Sequence, residues 1–271
     1  MTNNTTKNSQ PIATSENTVF VTVAAYQDYE SVTAGLRKSA ADYGVSLIFY
    51  DTDEKWHNFY CNKIERLHEH LTRLRGTGTE FVFFLDSRDT AFIEPRDMIL
   101  AKFNAINDGR MIFNQDVLGK IWPSHNDSLA HAIEEATGSK YTRLNSGMYV
   151  GNIETILKIQ ELAIELRREL KEGCPRSGIL KTLYQEIGSQ HCDDDQHLYQ
   201  ICLSYHPELI RIDSEKELFA VLMSYPQNIR ECSGNPERHD VINNAAIVHS
   251  PWLSCNQAEW NEWVFQNRWE R

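Results

Sequence analysis

Long apolar runs are missing from this chain. No stretch approaches the roughly 18 apolar residues that a membrane-spanning helix requires. The first ten residues, MTNNTTKNSQ, hold no apolar segment of the kind that opens a secretion signal. The expectation is a cytoplasmic protein without a membrane partner, in which the Asn-x-Ser/Thr matches at Asn4 and Asn126 have no meaning. Paired-cysteine motifs are missing as well. The six cysteines (Cys61, Cys174, Cys192, Cys202, Cys232 and Cys255) form no CxxC pair and no Cys/His cluster with zinc-ligand spacing. A zinc module and a small disulfide scaffold are therefore excluded, and reduced thiols are expected. Basic residues are scarce: 27 Lys and Arg stand against 38 Asp and Glu, for a net charge of −11. A field of that sign repels nucleic acid and anionic membranes, yet leaves room for one local pocket that takes a phosphorylated ligand. Finally, Ala24-Ala25-Tyr26-Gln27-Asp28, which closes the first apolar run, contains no glycine. A nucleotidyltransferase needs a basic, glycine-rich triphosphate loop there.

What is present is an ordinary globular composition, 41% apolar and 24% charged, over 271 residues. Residues 1–17 are polar and read as a flexible tail, with order beginning at Thr18 and residues 18–271 forming a single domain. The segments Thr18–Ala25, Ser46–Tyr50, Glu80–Leu85 and Arg110–Phe113 read as strands. Between them, Glu30–Tyr43, Phe59–Arg75 and Arg96–Asn107 carry apolar residues at helical spacing. This alternation predicts an α/β fold with a mostly parallel sheet and helices on both faces. Beyond it, Ser128–Thr137, Ile153–Lys171, Asp194–Ser204 and Glu259–Trp269 read as helices, and Gly147–Val150, Leu209–Ile212 and Ala246–Val248 as short strands.

The chemistry concentrates in a few places. Asp86 and Asp89 stand three residues apart, straight after the buried run Phe81–Leu85. In an open α/β sheet, ligands bind beyond the carboxyl ends of strands, and hard carboxylate oxygens suit Mg²⁺ or Mn²⁺. The same pattern also suits a solvated turn with an aspartate helix cap. Cys192-Asp193-Asp194-Asp195-Gln196 gathers three carboxylates, which fits either a nearby cation or sugar, or an exposed helix N-cap. His249 follows the strand-like Ala246–Val248 and is either a structural imidazole or a metal ligand. Leu144-Asn145-Ser146-Gly147 is a polar turn feeding a strand, where Gly147 permits close backbone approach. Lys63 lies on a helix just after Trp56–Tyr60. Trp252, Trp260, Trp263 and Trp269 crowd the C-terminal stretch and suit core packing, an acceptor wall or a homodimer surface.

In order along the chain, Lys63, Phe84-Leu85-Asp86-Ser87-Arg88-Asp89, Trp122-Pro123, Leu144-Asn145-Ser146-Gly147 through Gly151, Asp193-Asp194-Asp195-Gln196 and His249 resemble the glycosyltransferase domain of procollagen lysyl hydroxylases and the related collagen galactosyltransferases. The resemblance implies a GT-A fold, a Rossmann-like mixed sheet with a nucleotide-sugar site. It also implies Mn²⁺, a UDP-sugar donor and retention of anomeric configuration. Carried over by motif, Asp86, Asp89 and His249 would be the metal ligands. Lys63, Ser87, Arg88, Trp122, Gly147 and Gln196 would contact the donor, and Asp193, Asp194 and Asn145 would serve as catalytic, donor-sugar or acceptor residues. The family often has an aromatic between the metal aspartates, and here Arg88 takes that place. Without an export signal or an oxygenase domain in this sequence, the expected acceptor is a peptide, glycan or small metabolite rather than collagen. Two other readings compete. A haloacid-dehalogenase-like phosphohydrolase needs its second aspartate one residue earlier than Asp89. A non-catalytic sugar-nucleotide-binding protein would have no need to keep both aspartates, the Asp193–Asp195 run and His249.

Overall fold

The computed structural model describes residues 11–24, 29–51, 56–116, 127–140, 143–172, 194–221, 244–250 and 257–266. Trp122 and Asp193, both expected at the site, lie outside the described residues, as do Trp252, Trp269 and the side chain of Trp263. Among the described residues, six strands form a central sheet: β1 (Thr18–Ala24), β2 (Leu47–Asp51), β3 (Phe81–Leu85), β5 (Met111–Gln115), β6 (Leu144–Asn152) and β7 (Ile210–Asp213). Their spatial order is β2-β1-β3-β6-β5-β7. Five strands run in one direction and β6 runs against both its neighbours. The fold is thus a mixed, mostly parallel α/β sheet with helices on both faces.

The alternation of side chains along each strand divides the core in two. On β3, Phe81, Phe83 and Leu85 face one side, where they meet α2 (Ala34–Asp42) and α4 (Arg96–Ile106) through Leu36, Ile99 and Phe103. Phe20 stacks on Phe83 at 4.5 Å, and Phe103 meets both Phe81 and Phe83 edge-on. Val82 and Phe84 face the other side. There they join α3 (Trp56–Leu74), α5 (Asp127–Thr137), α6 (Ile153–Lys171) and α7 (Asp195–Tyr205) through Leu67, Leu71, Leu129, Ile156 and Tyr199. Because both faces of β3 are covered, the strand is apolar at every position, as a buried central strand must be.

A second sheet of three short strands, β4 (Thr90–Phe92), β8 (Phe219–Val221) and β9 (Ile247–His249), lies against the first core face in the order β4-β9-β8. β7 feeds β8 through a tight turn held by buried Asp213. Its carboxylate accepts from the backbone N–H groups of Glu217, Leu218 and Phe219 at 3.0, 2.9 and 2.9 Å.

Several expectations are corrected. Order begins before Thr18: Ala13 is buried, and its backbone exchanges hydrogen bonds with the Asn104 side chain of α4 at 2.8 and 2.9 Å. The stretch read as one helix over Glu30–Tyr43 is two, α1 (Tyr29–Val32) and α2, broken at Thr33. The cause lies far along the chain. Asn261, on α8 (Gln257–Gln266), donates to the Ser31 carbonyl at 2.9 Å and accepts from Gly35 N–H at 3.0 Å. These two groups would bond each other in an unbroken helix, so the inserted amide replaces one rung of the ladder. The polar stretch Leu144–Ser146 is not a turn but the first part of β6, paired with β5 across a bulge at Phe113/Asn114.

Replacing Asp213 by Ala strands three backbone donors in a buried turn. It is expected to lower the unfolding free energy by about 2–4 kcal/mol in urea denaturation. A loss below about 0.5 kcal/mol, within the range of ordinary surface substitutions, would show that this turn does not depend on the carboxylate.

Candidate active site

Three separate stretches of chain converge just beyond the carboxyl end of β3. Asp86 extends the β3–β6 ladder by one residue, its N–H donating to the Gly147 carbonyl at 2.8 Å. The chain turns through Ser87, Arg88 and Asp89 into β4, where Thr90 lies opposite His249 of β9. Ser250 N–H donates to the Asp89 carbonyl at 2.8 Å, carrying that ladder back to the turn. Both aspartates and the imidazole therefore emerge at one spot, with a ligand-capable atom of each within 4.8 Å of the others. His249 Nε2 is 3.2 Å from Asp89 Oδ1 and 4.0 Å from Asp86 Oδ2.

Gly147 lies under the imidazole. A Cβ on this residue would stand 2.1 Å from His249 Cε1 and 2.7 Å from Nδ1, so any side chain here displaces the ring. The reason for glycine is space, not backbone freedom. Asn145 Oδ1 accepts from the Gly147 N–H at 2.9 Å and steadies the strand at this point.

The electrostatics of the cluster are unbalanced. His249 Nε2 and Asp89 Oδ1 are buried against each other as an ion pair, and His249 Nδ1 has no hydrogen-bond partner among the described residues. Such an atom is costly to bury unless something else meets it. Burial raises the Asp86 carboxyl; Lys63 and His249 oppose that rise, while Asp89 and Asp195 add to it, and the net shift is upward. Burial works against a charged His249, but the carboxylates of Asp89 and Asp86 outweigh it and raise the imidazole. Two carboxylates and one imidazole form a donor set that suits Mn²⁺, and Mg²⁺ less well.

Behind the cluster, Lys63 of α3 is buried with its Nζ 2.7 Å from Asp86 Oδ1 and 2.9 Å from Asp195 Oδ2. Burial pulls its ammonium down, but Asp195 and Asp86 more than offset this and hold it well above the usual lysine value. Lys63 is thus a buried cation tied to two carboxylates.

The acidic run divides by role. Asp194 caps α7: its Oδ1 accepts from the N–H groups of Gln196 and His197 at 2.9 and 3.4 Å, and its Oδ2 lies 2.9 Å from His197 Nδ1. Burial alone would raise this carboxyl, but hydrogen bonds and charge from His197 prevail and lower it. The carboxylate that reaches the cluster through Lys63 is that of Asp195, which the motif reading did not single out. Capping chemistry was the available signal, since an N-cap side chain folds back on the next backbone donors and leaves the first helical residue free. Gln196 Nε2 donates to Asp116 Oδ2 at 3.2 Å, beyond the end of β5. Ser87 is buried, and its Oγ has no hydrogen-bond partner among the described residues. Arg88 is exposed and its Nε donates to Gln257 Oε1 at 3.1 Å, a partner that no local pattern announced.

The family described as PLOD GT domain matches residues 14–166, more than half of the chain. The chain belongs to that glycosyltransferase family. The matched span carries Lys63, Asp86, Asp89, Asn145 and Gly147, while Asp195 and His249 lie beyond it and meet them only in space. The chain is also similar to a solved structure described as a glycosyltransferase involved in the glycosylation of the major capsid of PBCV-1. That likeness has a TM-score of 0.49 and 13% sequence identity, over 92% of this chain and 100% of that one, and is too loose to carry an inference. No curated protein matches in sequence.

Two outcomes follow for this PLOD GT member. Gly147→Ala is expected to fold but to displace the His249 imidazole, read as a shift of its ring signals in NMR; unchanged signals would show that the ring tolerates a side chain beneath it. Asp194→Ala is expected to cost about 1–2 kcal/mol of stability at pH 7 through the lost cap. Because the folded carboxyl is lowered, its contribution is present above the unfolded value of about 3.9 and is lost as the pH falls through the folded value. The gap between variant and wild type in denaturant melts should therefore close toward acid pH. A gap that persists there would assign the effect to something other than the carboxylate.

Proposed function

We propose that this glycosyltransferase is metal-dependent and transfers a sugar from a UDP-sugar, with retention, to a hydroxyl on a peptide, glycan or small metabolite. One observation carries the reading: the turn that holds Asp86 and Asp89 meets His249, remote in sequence, with a ligand-capable atom of each residue within 4.8 Å of the others. A divalent ion would complete that set. Held by Asp86, Asp89 and His249, it would supply Lewis-acid stabilisation of the charge that develops on the departing diphosphate.

The remaining work falls to the chain itself. Lys63 favours the ionised form of Asp86 and fixes its direction, which keeps a ligand oxygen available. Through the same ammonium, Asp195 is drawn to the site's edge, where a carboxylate favours an oxocarbenium-like centre. The Asn145 amide, buried beside Gly147 with its oxygen engaged, has its NH₂ group to offer a sugar hydroxyl. The acceptor hydroxyl would attack from the face that the diphosphate leaves, so no enzyme nucleophile is needed.

The test is donor hydrolysis with a panel of UDP- and GDP-sugars, with and without Mn²⁺. Wild-type turnover should require the ion and a UDP-sugar, and Asp89→Asn should lower it by at least about 100-fold while the thermal melt stays cooperative. Turnover that survives chelation, or an undiminished Asp89→Asn, would overturn metal dependence. Preference for GDP-sugars would overturn the donor assignment.

A further inference from the structure

Arg88 stands between the two aspartates of the metal-ligand cluster, and it is held from outside the turn. Gln257, the first residue of α8, grips it at two points: Arg88 Nε donates to Gln257 Oε1 at 3.1 Å, and Gln257 Nε2 donates to the Arg88 carbonyl at 3.0 Å. With Nε engaged, the guanidinium is tethered along one edge. Its two terminal nitrogens have no hydrogen-bond partner among the described residues, and the side chain is exposed.

The element that grips it is itself anchored. Gln257 Nε2 also bonds Asn261 Oδ1 at 3.1 Å, and Asn261 is the residue inserted between Ser31 and Gly35. One helical turn away from Gln257, Trp260 is fully buried. A Cβ on Gly35 would lie 3.0 Å from Asn261 Oδ1 and 3.2 Å from Trp260 Nε1, so α2 and α8 meet almost backbone to side chain. A guanidinium on a free surface turn samples many rotamers and loses that freedom on binding. One held by a docked helix has already lost part of it.

We infer that Gln257 is a positioning residue for the donor. It holds Arg88 as a preset planar cation that meets the nucleoside diphosphate bound at the Asp86–Asp89 turn. This rests on the nucleotide-sugar reading above and adds α8 to the donor site. A planar cation can meet either the base, through its face, or the diphosphate, through its terminal nitrogens.

The test measures binding of UDP, GDP and inorganic pyrophosphate by calorimetry in the presence of Mn²⁺, and of Mn²⁺ alone. The proteins are the wild type, Gln257→Ala, Arg88→Ala and the double variant, each checked for a cooperative melt. Gln257→Ala is expected to weaken UDP by about tenfold and to leave the affinity for Mn²⁺ alone unchanged. The double variant should bind UDP no worse than Arg88→Ala, because Gln257 acts through Arg88. If UDP weakens and pyrophosphate does not, Arg88 meets the base; if both weaken, it meets the diphosphate; either result supports the role of Gln257. Wild-type affinity in Gln257→Ala, losses that add in the double variant, or an equal loss for Mn²⁺ alone would each overturn it. A wild-type protein that binds neither UDP nor GDP would overturn the donor reading and this inference together.

Discussion

The pairing of Thr90 with His249, extended by the hydrogen bond from Ser250 N–H to the Asp89 carbonyl, is the contact on which the site depends. It joins a turn at the end of the central sheet to a strand some 160 positions later in the chain. Without that register the imidazole would not meet the two carboxylates. The other half of the construction is the ladder from Asp86 to Gly147, which brings a residue without a side chain beneath the ring. Two backbone ladders and one glycine thus determine where three side chains meet.

Such a cluster is unfavourable by itself. Like charges crowd together, and one buried ring nitrogen of His249, Nδ1, has no hydrogen-bond partner among the described residues. Lys63 relieves part of the imbalance from behind, at the cost of desolvating its own ammonium. The fold tolerates this because β3 and its neighbours are packed on both faces and keep the backbone from relaxing. An arrangement that stores unmet electrostatic demand at the rim of a rigid sheet fits a group that arrives later and carries opposite charge.

Much of this was legible in the sequence, and the exceptions have physical causes. β1, β3 and α6 stand out because burial on two faces, or an amphipathic stripe of five turns, writes a long pattern. β4 and β8 do not, since three residues carry no period. The break at Thr33 was invisible because apolar spacing continues across it, and the interrupting amide comes from Asn261. Asp86 and Asp89 could be picked out by their place after a buried strand. His249 gained meaning only from the resemblance, and its register with Thr90 only from the fold. The choice between Asp194 and Asp195 turned on where α7 begins, a boundary that sequence patterns leave uncertain by a residue or two.

The central claim is that Asp86, Asp89 and His249 share one divalent ion. Anomalous diffraction from crystals grown with Mn²⁺ and UDP tests it most directly. The account predicts one manganese peak within coordination distance of all three side chains, with the diphosphate against it. A manganese peak elsewhere, or UDP bound with the three side chains bare of metal, would contradict it.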